Sequence, residues 1–400
     1  MINEKLIKLY NERTYLHQMS KNNNCCKKTS IGGQALMEGI MMRGPETSAM
    51  AVRNTEGEII LETFPTQTKK RAKLLTLPVI RGVFNYIDSM VMGTKCLMRS
   101  AEISGLEEAE EEMRREKEAK KAKKAAKKAD KKGVAAKNNE EQILCENSDS
   151  SASEQAEAGI SEPNTETAKE EAKKESSALM GVVMFFSVLM GILFSVALFI
   201  ILPSYIYKGA TYLFPFLKPD NQALQSLIKS VFEGVLKIAI LIGYMAAISL
   251  MKDIKRTFMY HGAEHKTIFC YESGLELTVE NVRKQRRFHP RCGTSFLILM
   301  LLVGIFISFF IDPLCLLIFD AVPSTLVRVL IRILLLPLIV GIGYELIKLA
   351  GRHDNLFTRI ISAPGVWLQH VTVLEPDDGM IECAIAAMKE AIPADESDKW

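Results

Sequence analysis

Four apolar runs in the carboxyl-terminal half, at 179–202, 227–251, 296–319 and 326–350, decide which folds are open to this chain. Each approaches the roughly 20 residues needed to cross about 30 Å of hydrocarbon. In that medium a segment has to satisfy its own backbone N–H and C=O groups, which selects helices. The expected class is therefore an α-helical polytopic membrane protein with four transmembrane helices. The first and third runs are the cleanest, whereas the second carries Glu233 and Lys237 and the fourth carries Arg328, Arg332, Pro337 and Glu345. Polar residues of this kind face a bundle interior or snorkel at a helix end.

Orientation follows from the loops, because Lys and Arg in short loops favour the cytoplasmic side. The 252–295 loop is rich in both from Lys252 to Arg291, whereas 203–226 offers only Lys208 and Lys218, and 320–325 has none. Both termini and the 252–295 loop are expected inside. Residues 1–30 are polar with no apolar core, so no cleavable signal is expected and the first span would be an uncleaved anchor. Of the eight cysteines, seven fall on expected cytoplasmic segments, where thiols stay reduced. With a formal charge of only +3, and acids and bases interleaved, nothing points to a nucleic-acid-binding face, and no nucleic acid partner is expected.

The chain divides by composition into five parts. Residues 1–30 form a polar tail, and 31–100 a small α+β cytoplasmic unit of β segments plus an amphipathic helix. Residues 101–178 are a charged low-complexity insertion, 179–351 the transmembrane bundle with its cytoplasmic 252–295 loop, and 352–400 cytoplasmic helices. The block from Gly33 to Pro45 reads as one strand with tight bends, and 49–53 with 58–64 as a hairpin around Asn54-Thr55-Glu56-Gly57. Glu38 and Arg43 could reach the membrane-proximal site, but a mutual ion pair is the simpler expectation. Residues 74–98 have a helical apolar period interrupted by charge, which suits a helix lying on the membrane surface, or equally an amphipathic core helix. The Lys/Glu/Ala-rich stretch up to 137, with the Ser/Glu/Asn/Thr stretch after it, cannot bury enough apolar surface to fold alone. Near the carboxyl end, Ala363-Pro364-Gly365 is expected to break a short helix, and Met380 to Ile392 to form an amphipathic one after the acidic turn Glu375–Gly379.

Chemistry concentrates in His261-Gly262-Ala263-Glu264-His265, one charged turn beyond the second run. If the helix continues, His261 and His265 share a face one turn apart with Glu264 beside them. The spacing is the inverted form of a zinc-hydrolase signature, in which two imidazoles hold a divalent metal and the carboxylate serves as general base. A catalytic zinc site takes three protein ligands, so a third is required. His289 and Cys292 sit just before the third run at the same expected depth. Glu345 lies about two turns inside the fourth, with Lys348 as its simpler partner, and His353 and Asp354 just past it. No G-x-x-x-x-G-K-[ST] or G-x-G-x-x-G spacing occurs at Gly32–Pro45, so nucleotide binding through those motifs is excluded, and its glycines are assigned to bends and close backbone approach.

Four blocks, Gly32 through Pro45, Tyr260 through Lys266, His289 through Ser295, and Gln369 through Asp378, together resemble the YqhQ-like family of bacterial membrane proteins. That family is a domain of unknown function whose members are sometimes described as predicted metal-dependent enzymes. The resemblance covers nearly the whole chain outside the tail and the 107–178 insertion, which departs from the compact pattern but interrupts no motif. It implies a multi-pass protein of the bacterial inner membrane and names no substrate.

The resulting expectation is a metal-dependent, hydrolase-like enzyme at the cytoplasmic membrane face. Glu264 is its catalytic base, the metal set is drawn from His261, His265, His289 and Cys292, and zinc is the first choice of metal. Its partners would be membrane lipids, with a protein partner reached through 107–178. Two other classes compete: a non-enzymatic scaffold that recruits through the same arm, and a small transporter using Glu233, Lys237, Arg328 and Arg332. The absence of an internal repeat counts against the transporter.

Overall fold

The computed structural model describes residues 28–66, 72–105, 186–320, 323–353, 355–395 and 397–398. The expectations for the amino-terminal tail before Lys28, for the 107–178 insertion and for Asp354 fall outside those residues. Contacts divide the chain into two units, Met1–Leu106 with Pro203–Trp400, and Glu107–Leu202. In the second unit the described part is a helical segment beginning at Phe186.

Strands β1 (Gly32–Leu36), β2 (Gly39–Arg43), β3 (Thr47–Arg53) and β4 (Ile59–Pro65) form an antiparallel meander in sequence order. The Gly33–Pro45 block is thus a hairpin rather than a single strand. Its tight turn lies at Met37-Glu38, with Leu36 opposite Gly39 and Glu38 in the left-handed region at φ 50°. This geometry also separates Glu38 from Arg43. Five residues of β2 lie between the turn and the strand end, roughly 16 Å at strand rise. Glu38 instead pairs with Arg256 and accepts from the Tyr260 hydroxyl at 3.3 Å, while Arg43 donates to Ser89 Oγ at 3.2 Å.

The sheet is covered on both faces, which is why β2 reads as continuously apolar rather than alternating. Ile40, Met42 and Ala51 pack with Tyr260, Ala263 and the Met380–Met388 helix, whereas Leu36, Met41, Met50 and Val52 pack with Cys96. Cys96 belongs to α1 (Ile80–Ile103), the helix expected over 74–98. This helix also lies against two of the long apolar helices, with Arg81 on Glu345 and Asn85 Nδ2 2.8 Å from the Tyr344 hydroxyl on one, and the Tyr86 ring tilted against Phe296 of the other. Phe84, Ile87, Met90 and Val91 remain exposed along its other side.

Four helices are long and apolar enough to cross a membrane, and the protein is mostly helical. They are α2 (Phe186–Leu213), α3 (Gln222–Ile248), α6 (Gly293–Phe319) and α7 (Thr325–Arg352). The first runs well past 202, where a loop was expected at Pro203. A π-helical turn at Ala197–Ile201 precedes the proline and accommodates its missing donor. The second ends earlier than expected, at a turn through Ser249 and Leu250. The histidine motif therefore lies on a new helix, α4 (Lys252–Glu272), and not on an extension of the span.

After the short α5 (Val279–Arg283), Cys292 caps α6. Beyond α7 the chain forms α8 (Leu356–Thr372), held at its start by a capping box between Asn355 and Thr358. Pro364 does not break it, contrary to the composition signal. Gly365 instead packs where a Cβ would come 2.5 Å from the Ser295 Cβ, locking α8 onto α6. Asp377 then caps α9 (Asp378–Ala391) through the Met380 N–H at 2.8 Å, as the acidic turn suggested.

Candidate metal centre

Helix α4 is largely buried from Tyr260 onward, and its tight packing depends on Gly262. A Cβ there would come 1.9 Å from the Leu374 carbonyl oxygen, so only glycine lets α4 lie against the strand-like segment after α8. The same crossing is fixed by the Leu374 N–H, which donates to Phe258 O at 2.9 Å. His261 and His265 then project on one face, with ring centroids 4.5 Å apart.

Each ring is oriented by a backbone carbonyl. His261 Nδ1 meets Thr372 O at 3.0 Å and His265 Nδ1 meets Arg287 O at 2.5 Å. A carbonyl only accepts, so both Nδ1 atoms carry the proton, and in the neutral ring Nε2 holds the lone pair. Burial pushes His265 down to about 4, which keeps that ring neutral. Its Nε2 is buried and has no hydrogen-bond partner. His261 Nε2 lies 3.0 Å from Cys292 Sγ, and the donor atoms of His261, His265 and Cys292 all fall within 4.8 Å of one another.

Cys292 arrives from the opposite side, at the N-terminus of α6. Burial alone would raise its thiol, and the donors from Thr294 oppose this. The Thr294 N–H and hydroxyl lie 3.4 and 3.2 Å from the sulfur. A helix N-terminus further favours the thiolate, the form that binds metal.

Glu264 is buried beside this group, its carboxyl against Gly33 of β1. Burial lifts it to about 7 and the Cys292 charge adds to this, while His261 and the Gly33 N–H oppose it. A Cβ on Gly33 would stand 2.8 Å from the Glu264 Cδ. Of the four side chains only His261 keeps partial exposure.

His289 lies outside the group of three. Its Nε2 is 3.9 Å from Glu272 and its ring is tilted against Phe269 with centroids 4.7 Å apart. Burial alone would raise Glu272, but the nearby His289 ring and the charge and hydrogen bond of Arg291 bring it to about 2. Glu345 does not reach the centre, nor does it take Lys348 as its hydrogen-bonding partner. Arg81 from α1 holds it through two hydrogen bonds, at 2.7 and 2.5 Å. His353 is exposed.

One positioning residue carried no chemical signal of its own in the sequence. Gln369 is fully buried on α8, where its side chain accepts from His289 N at 2.8 Å and donates to His289 O at 2.7 Å and to Ser295 Oγ at 3.0 Å. It thereby fixes the backbone that presents Cys292. An isolated glutamine between Leu368 and His370 on an apolar helix is the trace it leaves.

Two comparisons bear on this centre. The chain is 30% identical over 367 residues to the uncharacterized protein YqhQ of Bacillus subtilis (strain 168), a match covering 91% of this chain and 92% of that protein. No solved structure matches it. Residues 77–394 match the family described as proteins of unknown function DUF1385, which take in the α4 histidines, Glu264 and Cys292, and the chain belongs to that family.

Proposed function

We propose that this protein is a metal-dependent hydrolase of the bacterial inner membrane, with its site at the cytoplasmic face and both termini inside. The basic 252–295 segment that carries the centre supports that orientation. His261 Nε2, His265 Nε2 and Cys292 Sγ hold one divalent cation. Zinc is the first choice because it accepts imidazole and thiolate together in a four-coordinate site with an open position. The carrying observation is the buried His265 Nε2, which has a lone pair and no hydrogen-bond partner.

The donor set fits such an ion in its outer contacts as well. Both Nδ1 atoms are tied to backbone carbonyls, the arrangement that fixes tautomer and ring orientation in metal-binding histidines. Bound there, the cation would supply Lewis acidity to a substrate carbonyl or phosphoryl oxygen and to water.

Glu264 is the general base. Its burial keeps the carboxyl near neutrality, where it can both take a proton and give it up. His289, its backbone fixed by Gln369, positions the loop that carries Cys292. The partly exposed edge of His261 marks the side from which substrate enters, and the membrane location favours a lipid or a membrane-adjacent peptide.

Elemental analysis of the detergent-purified full-length protein tests this reading. About one equivalent of metal is expected in the wild type and none in the His261→Ala/His265→Ala variant. Equal metal content in the two would overturn it. Glu264→Gln is expected to retain the metal and lose turnover.

A further inference from the structure

Far from the histidines, the helix bundle buries a second polar group that the metal reading does not use. Lys229, Glu233 and Lys237 recur at helical spacing on α3, facing Asp312 on α6 and Arg328 and Arg332 on α7. Asp312 lies twenty residues along α6 from Cys292, about 30 Å at helical rise. The two groups are separate sites.

Charge does not balance in this cluster. Among the described residues its four cations find only two carboxylates. Asp312 is fully used, taking Arg328 through two bonds at 2.8 and 2.9 Å and the Ser226 hydroxyl at 2.5 Å. Glu233 is left to serve three cations. It accepts from Ser204 at 2.8 Å and Arg332 at 3.1 Å, while the Lys229 and Lys237 ammonium groups both stand off at 3.9 Å. Arg332 Nε is buried with no hydrogen-bond partner. Each ammonium carries three N–H donors, so donors here far outnumber acceptors.

Two uncompensated positive charges within a membrane bundle are costly, and such residues persist where a counter-charge meets them. We propose that Lys229, Lys237 and Arg332 bind a phosphomonoester-type anion. Of the common anions, its charge of about −1.5 to −2 and its three terminal oxygens suit this excess and these donors best. A carboxylate or phosphodiester neutralises only one of the two charges. The group is supplied either by a lipid headgroup entering between the helices or by free phosphate.

The test is a melting-temperature titration of the full-length protein in detergent with inorganic phosphate, and with phosphatidic acid in mixed micelles. Phosphatidylglycerol and phosphatidylcholine serve as controls. Stabilisation by inorganic phosphate assigns the site to a soluble anion, and stabilisation by phosphatidic acid alone assigns it to a lipid; either supports the proposal. Lys237→Met leaves Glu233 paired with Arg332, and it should raise the melting temperature of ligand-free protein while weakening the anion about tenfold. Glu233→Gln removes the competing carboxylate and should tighten binding. The proposal is overturned if neither phosphate nor phosphatidic acid shifts the melting temperature, if Lys237→Met responds as the wild type does, or if phosphatidylglycerol stabilises as well as phosphatidic acid.

Discussion

The two buried polar groups of this protein are opposites in hydrogen-bonding chemistry. At the α4–α6 end, His261, His265 and Cys292 converge lone pairs, and one imidazole nitrogen has nothing to accept from. Within the bundle, Lys229, Lys237 and Arg332 converge N–H donors around a single shared carboxylate. A lone-pair surplus calls for a cation and a donor surplus calls for an anion. Burial enforces both demands, because an unmet polar group away from water costs far more than an exposed one. The difference teaches that the sign of the missing partner can be read from what a buried group lacks.

The largest expected effect sharpens this distinction inside the bundle, where Arg328 and Asp312 form the balanced half of the cluster. Asp312→Asn strands a buried guanidinium, and a loss of about 3–5 kcal/mol is expected in detergent unfolding. Replacing both partners with leucine and methionine should cost much less. Equal losses in the single and double variants would mean that the pair does not act as a unit.

Glu272 offers a similar control beside the candidate metal centre, since its carboxylate is held by Arg291 and the Thr29 N–H, with His289 3.9 Å away. Its folded value of about 2 lies below the ordinary 4.5. The stabilisation is therefore complete above about pH 4.5 and is lost as pH falls through about 2, amounting to at most about 3 kcal/mol. Melting curves across that window should slope in the wild type and flatten in Glu272→Gln. A slope retained by the variant would assign the acid sensitivity elsewhere.

Much of the bundle was legible because four long apolar runs leave the chain few alternatives. The errors sit where local punctuation was overruled. The first run ends in the sequence just before Pro203, and Pro364 looks like a break, yet a π-turn carries the helix past the first and the packing of Gly365 on Ser295 holds the helix through the second. The β1–β2 turn was missed because Glu38 stands where glycine or asparagine normally signals a left-handed residue. At the centre, helical spacing placed the two histidines and shared depth brought Cys292 to them. The carbonyls of Thr372 and Arg287 that orient the rings are backbone atoms, and no side-chain pattern announces them. Glu345 was misread for a related reason, since its partner Arg81 is 264 residues away.

Smaller effects should probe the lone-pair group without dismantling it. Cys292→Ser substitutes a hydroxyl, a far weaker zinc donor at neutral pH, and should weaken metal binding by about 100-fold, the upper end of what even indirect contacts contribute. Competition against a chromophoric chelator measures this. An unchanged affinity would remove Cys292 from the ligand set.

The smallest change in stability separates ligand from base. Gly33 has no positive φ, so alanine there meets no backbone strain, and its methyl group meets the movable end of Glu264 rather than a fixed backbone atom. The carboxyl can swing aside, and Gly33→Ala should therefore cost only about 1 kcal/mol. Gly262→Ala is the contrasting case, because its methyl would strike the Leu374 carbonyl oxygen and α4 itself would have to move. If Glu264 is the base and His261, His265 and Cys292 hold the ion, Gly33→Ala keeps its metal and loses turnover, whereas Gly262→Ala loses both. Metal released by Gly33→Ala would instead place the Glu264 carboxylate among the ligands, and the division of labour within the centre would have to be redrawn.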